Sequence, residues 1–255
     1  MEVHHHQHPG HKKKWTEYLL EFLMLFLAVF LGFTAENIRE HRVEHIRAKE
    51  FARSLVNDLA NDTAAMIVYK RASDKYISIC DTLLDLNQAS LAGANATRFS
   101  FYTRFAYWTS PMPWSRTTFE QIKNSGSLRY FNQNLLKKLM QYDAVINDIE
   151  KEAAANLTRG NMLLNSINKI IEPRFHQNVS RLYLWSFDTL SQTTIQKYLS
   201  TPLPSLETKR PEINEMLNML VVQQRNLRFG RERLEKTNIL ARELITAFTE
   251  EYHLK

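Results

Sequence analysis

Residues 22–35 read FLMLFLAVFLGFTA, fourteen consecutive residues without a charge. Taken back to Tyr18, the run is eighteen residues long and holds one carboxylate, Glu21. At about 1.5 Å per residue a helix of that length reaches roughly 27 Å, close to the ~30 Å hydrocarbon core of a bilayer. Trp15 and Tyr18 stand where interfacial aromatic residues stand, and Lys12, Lys13 and Lys14 lie just outside them. A secretory signal peptide also places basic residues before an apolar run, but ends in a small-x-small cleavage site. No such site breaks the pattern here, and helix-compatible sequence continues into ENIREHRVEHIRAKE at 36–50. The core helix of a soluble protein is the other alternative. The reading adopted is an uncleaved transmembrane anchor over residues 15–35.

Working outward, residues 1–14 form a His/Lys-rich tail and residues 36–50 a charged helical stalk. In the stalk, Glu36–Arg39 and Glu44–Arg47, with Glu50–Arg53 at its end, are spaced i,i+3 with the acid first, the orientation a helix favours. Residues 51–255 are expected to pack as a helical bundle. Only six glycines and seven prolines punctuate the 255 residues, which argues for long helices rather than many strands and turns. Three apolar stripes advance by threes and fours. The first carries Leu55, Leu59, Met66, Tyr69, Tyr76, Cys80 and Leu83, interrupted by Asp62 and Ser73. The second carries Leu135, Leu139, Tyr142, Ile146, Ile149, Ala153, Leu163, Ile167 and Ile170, and must end before Glu172-Pro173. The third starts near Pro211 and carries Ile213, Leu217, Leu220, Leu227, Leu234, Ala241, Ile245 and Phe248, with Gln224, Arg231 and Asn238 as polar interruptions. The expected fold is all-α: one N-terminal transmembrane helix, then a long-helix bundle with coiled-coil-like packing.

Two connectors are rich in aromatic residues. Residues 89–115 hold Phe99, Phe101, Tyr102, Phe105, Tyr107, Trp108 and Trp114, and residues 172–210 hold Phe175, Tyr183, Trp185 and Phe187. Such connectors are expected to close the end of a bundle, a partner-binding surface being the alternative. Between them TTFEQIKN (117–124) reads as a short helix capped by Thr117 or Thr118, with Glu120 or Gln121 completing a capping box, and Ser125-Gly126 ending it.

The residues EYLLEFLMLFLAVFLGFTAENIREH (17–41), EHIRAKEFARSLVNDLANDT (44–63) and TTFEQIKNSGSLRYF (117–131) resemble an uncharacterised single-span membrane protein family of the Bacteroidetes, known as a domain of unknown function. The resemblance implies a bacterial single-span protein with a helical domain. It supplies no activity, ligand or catalytic residue.

Several motifs invite chemistry. His41-Arg-Val-Glu44-His45 is a literal HxxEH, the helical zinc pattern of inverted zincins, with both histidines on one face. It lies in a charged stalk with no evident third ligand, so a solvated face is the expectation and a metal-dependent hydrolase the alternative. His4, His5, His6, His8 and His11 give the tail some affinity for transition metals, incidental without groups to orient the rings. No glycine-rich phosphate loop and no GxSxG occurs, and the lone Cys80 excludes an intramolecular disulfide and a multi-cysteine zinc site. Cys80 sits on an apolar stripe, the place of a buried thiol. The net charge of +6 admits nucleic acid as a partner. Three of the charges, however, belong to the lysines beside the anchor, and Arg225, Arg228, Arg231 and Arg233 are interleaved with Glu232 and Glu235 as on a solvated, ion-paired face.

No catalytic residue and no cofactor is therefore assigned. The expectation is a non-enzymatic membrane-anchored scaffold or interaction protein in the bacterial inner membrane. Its partners are the lipid bilayer, a second copy of itself and a membrane or envelope protein, and not nucleic acid. Glu21, Ala28 and Gly32 share one face of the anchor, and the Ala28/Gly32 pair lets two helices approach closely. An ion-conducting role for Glu21 is the alternative there. The lysines pressed against the apolar boundary favour a cytoplasmic N-terminus and a periplasmic domain, although Arg39, Arg42, Arg47 and Lys49 follow the span. An extracytoplasmic sensor acting through a partner is the second functional expectation.

Overall fold

A computed structural model describes residues 14–108 and 111–254; the side chains at 185, 186 and 188, and so that of Trp185, lie outside the description. No strand occurs among the described residues. The helices are α1 (Trp15–Asn87), α2 (Ala94–Thr103), α3 (Thr117–Asn124), α4 (Gln133–Ile170), α5 (Pro173–Val179), α6 (Gln192–Leu199) and α7 (Arg210–Glu251), with three short 3₁₀ turns between them. The described residues form two compact units that divide between Glu50 and Phe51.

In the first unit the chain is one unbroken stretch of α1. It contains the one window among the described residues that is long and apolar enough to cross a membrane, and none of that window is buried. Phe22, Phe26 and Phe30 stack at i,i+4 with centroids 6.3 and 6.0 Å apart. Glu36 is bound by the Arg39 guanidinium one turn on.

The second unit is a three-helix bundle. Bonds between Asn87 and Asn214 (3.2 Å), Asp81 and Gln224 (2.7 Å) and Asp74 and Arg231 (2.8 Å) set α1 antiparallel to α7. Glu152–Arg233 (2.7 Å) and Lys138–Glu243 (3.6 Å) set α7 antiparallel to α4. It follows that α1 and α4 run the same way, and the chain between them must return along the bundle. The stripes meet in the interior: Leu55, Leu59, Met66, Tyr76, Cys80 and Leu83 are buried against Leu135, Leu139, Ile146, Leu163, Ile167 and Ile170, and against Ile213, Leu217, Leu220, Leu234, Ala241 and Phe248. Each large apolar side chain taken out of water contributes about 1.5–3 kcal/mol, and this burial holds the long helices together. Burial also pushes the Cys80 thiol up to about 12, so it is an inert core residue.

Both connectors close the end of the bundle where α1 stops. Phe99, Phe101 and Phe105 from the first and Phe175 from the second are fully buried, and Phe187 meets Phe105 edge-on at 4.9 Å. The Tyr76 hydroxyl donates to the Ala106 carbonyl (2.8 Å), so a phenol inside this cluster keeps a partner. Glu207 clamps the two connectors: its carboxylate accepts from the Leu91 amide (2.6 Å), the Ser90 hydroxyl and Arg210.

The start of α3 differs from the expectation. Neither Thr117 nor Thr118 caps it; Arg116 is the N-cap residue and its side chain makes no capping bond. Amides at and just before its first turn are taken by the first long helix instead. Asp62 accepts from the Ser115 amide (2.8 Å) and Asp58 from that of Thr118 (3.4 Å). A capping box is a local device, and here a carboxylate more than fifty residues away reaches the amides first. The glycine turn stands as expected, with Gly126 at φ 70°, a left-handed conformation that L side chains rarely adopt.

Candidate functional site

The polar interruptions of the stripes are where the bundle departs from plain packing. Asp62 is 1% exposed and pairs with no cation among the described residues; its oxygens accept from the Ser115 amide and from the Tyr142 hydroxyl, both at 2.8 Å. Burial raises its pKa, and the two donors pull it back down. Next to it Arg116 binds Asp143, Asn147 and Glu150 on α4. This polar knot fixes the connector across α1 and α4. Ser73 returns its hydroxyl to the Tyr69 carbonyl, and Gln224 donates to the Ile77 carbonyl and to Asp81.

About two turns further along α1 the bundle opens into a cavity of about 330 Å³. That is within the usual range of small-molecule sites, near its lower end. Its origin lies in side-chain size. At this level α4 offers Ala153 and Ala154, and α7 offers Gly230, where an added Cβ would meet nothing within 4 Å. Residues this small on facing helices leave a gap that the backbones do not close. Tyr69, Ile149, Ala153, Leu227 and Arg231, half-buried members of the stripes, line it, whereas the fully buried members lie mostly above and below. The first connector forms the remaining wall through Trp108, Met112 and Trp114. Gln223 holds that wall by donating to the Trp108 carbonyl (3.1 Å), and the Trp108 ring packs on Tyr69 at 5.1 Å.

The charged groups of the cavity are paired. Arg231 binds Asp74, Arg233 binds Glu152, and Glu150 binds Arg116. The Arg231 Nε is buried without a hydrogen-bond partner among the described residues, and the Tyr69 hydroxyl, the Trp114 indole and the Asn226 amide belong to the same lining. Burial raises the Tyr69 pKa, with Glu152 adding to the effect, so the phenol stays neutral. Aromatic walls, matched charges and a buried unengaged donor suit an apolar ligand with a small polar group better than an ion.

The residues singled out by sequence fall elsewhere. Glu21, Ala28 and Gly32 are exposed on the apolar part of α1, and an added Cβ at Gly32 meets nothing within 4 Å. His41 and His45 are exposed; His41 Nδ1 lies 3.7 Å from Glu44, and no three His, Cys, Asp or Glu side chains among the described residues group as metal ligands. His4, His5, His6, His8 and His11 lie outside the described residues. Of the arginine cluster, Arg231 and Arg233 reach the cavity, while Arg228 lies 3.8 Å from Asp81. Sequence reasoning missed the cavity. The signal available was the coincidence of AAA at 153–155 with the lone glycine of α7, Gly230, but only the pairing of α4 with α7 brings them level. Comparison with protein-family models, with curated proteins and with solved structures finds no match to this chain.

Proposed function

We propose that this chain is a membrane-anchored, non-enzymatic helical scaffold or interaction protein. The observation that carries the reading is the wholly exposed apolar window of α1, preceded by lysines and followed by the charged run at 36–50. Sixteen or more apolar residues facing water would be costly, and a bilayer removes that cost. In this reading residues 15–35 span a bacterial inner membrane, the N-terminus is cytoplasmic and the bundle periplasmic. Copies associate through the face of Glu21, Ala28 and Gly32, and the bundle meets a membrane or envelope protein. Alkaline extraction of membranes tests the anchor: the full chain is expected in the pellet, and a chain lacking residues 1–35 in the supernatant. A full chain released by alkali would end the reading. Protease added to spheroplasts should digest the bundle; protection until lysis would reverse the orientation.

A second reading, an extracytoplasmic sensor acting through a partner, is favoured by the cavity in the bundle, because a scaffold has no need of an internal site.

A further inference from the structure

We infer that the cavity between α1, α4 and α7 binds a small, flat, uncharged ring compound carrying carbonyl oxygen acceptors. The inference goes beyond the scaffold reading and does not rest on the membrane assignment, since every lining residue belongs to the bundle.

Three independent features converge on that class. The first is shape and surface. Tyr69, Trp108, Trp114, Met112, Leu157 and Leu227 face one space of about 330 Å³, and aromatic walls favour a flat ring that can stack or pack edge-on. The second is charge. The acids and bases at the wall are already matched, Arg231 to Asp74, Arg233 to Glu152 and Glu150 to Arg116. A charged ligand would have to compete with one of these half-exposed pairs for its partner, whereas an uncharged one leaves them intact. The third is hydrogen-bond polarity. The Arg231 Nε is buried, can only donate and has no hydrogen-bond partner among the described residues, and the Trp114 indole, the Asn226 amide and the Tyr69 hydroxyl bring further donors to the same lining. Donors beside apolar walls are complementary to a ring with carbonyl oxygens, and a ligand without acceptors would leave the Arg231 Nε unsatisfied.

The gap also has a cause in the sequence. Gly230 is a poor helix former in the middle of a forty-two-residue helix, has no positive φ to require it, and has open space at its Cβ. What the absent side chain provides is room. Ala153 and Ala154 provide it from the opposite wall.

The test uses the full chain in lipid nanodiscs, with protein-free nanodiscs as the blank. The probe is 6-propionyl-2-(dimethylamino)naphthalene, an uncharged naphthyl ketone whose emission moves to the blue in apolar surroundings. Saturable blue-shifted emission at one site per chain, with energy transfer from tryptophan, is expected. Gly230→Leu fills the space and should weaken binding by about tenfold or more, while its circular dichroism stays as in the parent and its melting temperature does not fall. Should that variant fail to fold, Ala153→Leu fills the same space from α4. Asn226→Leu should weaken the ketone more than it weakens plain naphthalene. 2-Naphthoate, which brings a negative charge beside Glu150 and Glu152, should bind at least about tenfold less tightly than the ketone. Absence of saturable binding, or equal binding to parent and folded cavity-filled variant, overturns the site. Tighter binding of naphthoate than of the ketone overturns the ligand class. Neither outcome bears on alkaline extraction, so failure here and failure of the anchor are separable.

Discussion

Tyr142→Phe removes one oxygen from the interior and is the cleanest probe of the polar knot that holds the first connector. Tyr142 is 4% exposed and its hydroxyl donates at 2.8 Å to Asp62, itself 1% exposed. The ring remains, so no cavity of consequence opens; what is lost is a hydrogen bond to a buried carboxylate, about 1.5–3 kcal/mol. In a domain of this size each kcal/mol moves the melting temperature by about 2–4 °C, so a fall of roughly 3–12 °C is expected at neutral pH. The sign of the pH dependence follows from Asp62. Burial raises its folded pKa above the unfolded value, so the folded state takes up the proton first, and ionisation lowers stability as pH rises through the folded pKa. Without the Tyr142 donor that pKa rises further. The deficit of the variant is therefore greatest above it and shrinks as acid protonates Asp62, because a neutral carboxyl needs the donor less. Melts of parent and variant in one detergent, followed by circular dichroism from neutral pH down to about pH 4, make the comparison. A deficit below about 0.5 kcal/mol, the size of an ordinary surface change, or one that does not vary with pH, would refute an ionised Asp62 held by this bond.

Three further outcomes are expected. Gly230→Ala should stabilise the bundle by about 0.5–1 kcal/mol, since its Cβ meets nothing and alanine is the better helix former; a lower melting temperature would contradict open space there. Glu207 is held down to about 2 by Arg210, then by the Leu91 amide and Ser90, so its contribution is complete above the ordinary glutamate pKa and is lost as pH falls toward 2. Glu207→Gln should accordingly flatten acid destabilisation in that window, and unchanged acid melts would show that the clamp is not electrostatic. In the membrane helix, Gly32→Leu should weaken self-association of the 12–40 segment in a membrane two-hybrid assay, Glu21→Gln less so and Glu21→Leu more than Glu21→Gln; undiminished association of Gly32→Leu would assign any oligomer to the bundle.

The sequence by itself determined the three long helical segments and which face of each is apolar, because a period near 3.6 needs no knowledge of partners, but not the short helices α2, α5 and α6 inside the two connectors. The three stripes, the stop before Glu172-Pro173, the start at Pro211, the turn at Gly126 and the exposed run at 22–35 all belong to that local information. Asp62, Ser73, Gln224 and Asn238 were legible as interruptions but not as anchors: their acceptors and donors at Tyr142 and Ser115, Ile77 and Asp81, and the Thr63 carbonyl are remote in the chain, Ser73 alone bonding within its own turn. The capping of α3 was misread for the same reason, since Asp58 and Asp62 act across the bundle. Tertiary structure alone decided that α4 and α7 lie antiparallel with Ala153, Ala154 and Gly230 level with one another. A missing side chain leaves no periodic mark in a sequence. It becomes a cavity only when the opposite wall is small at the same height.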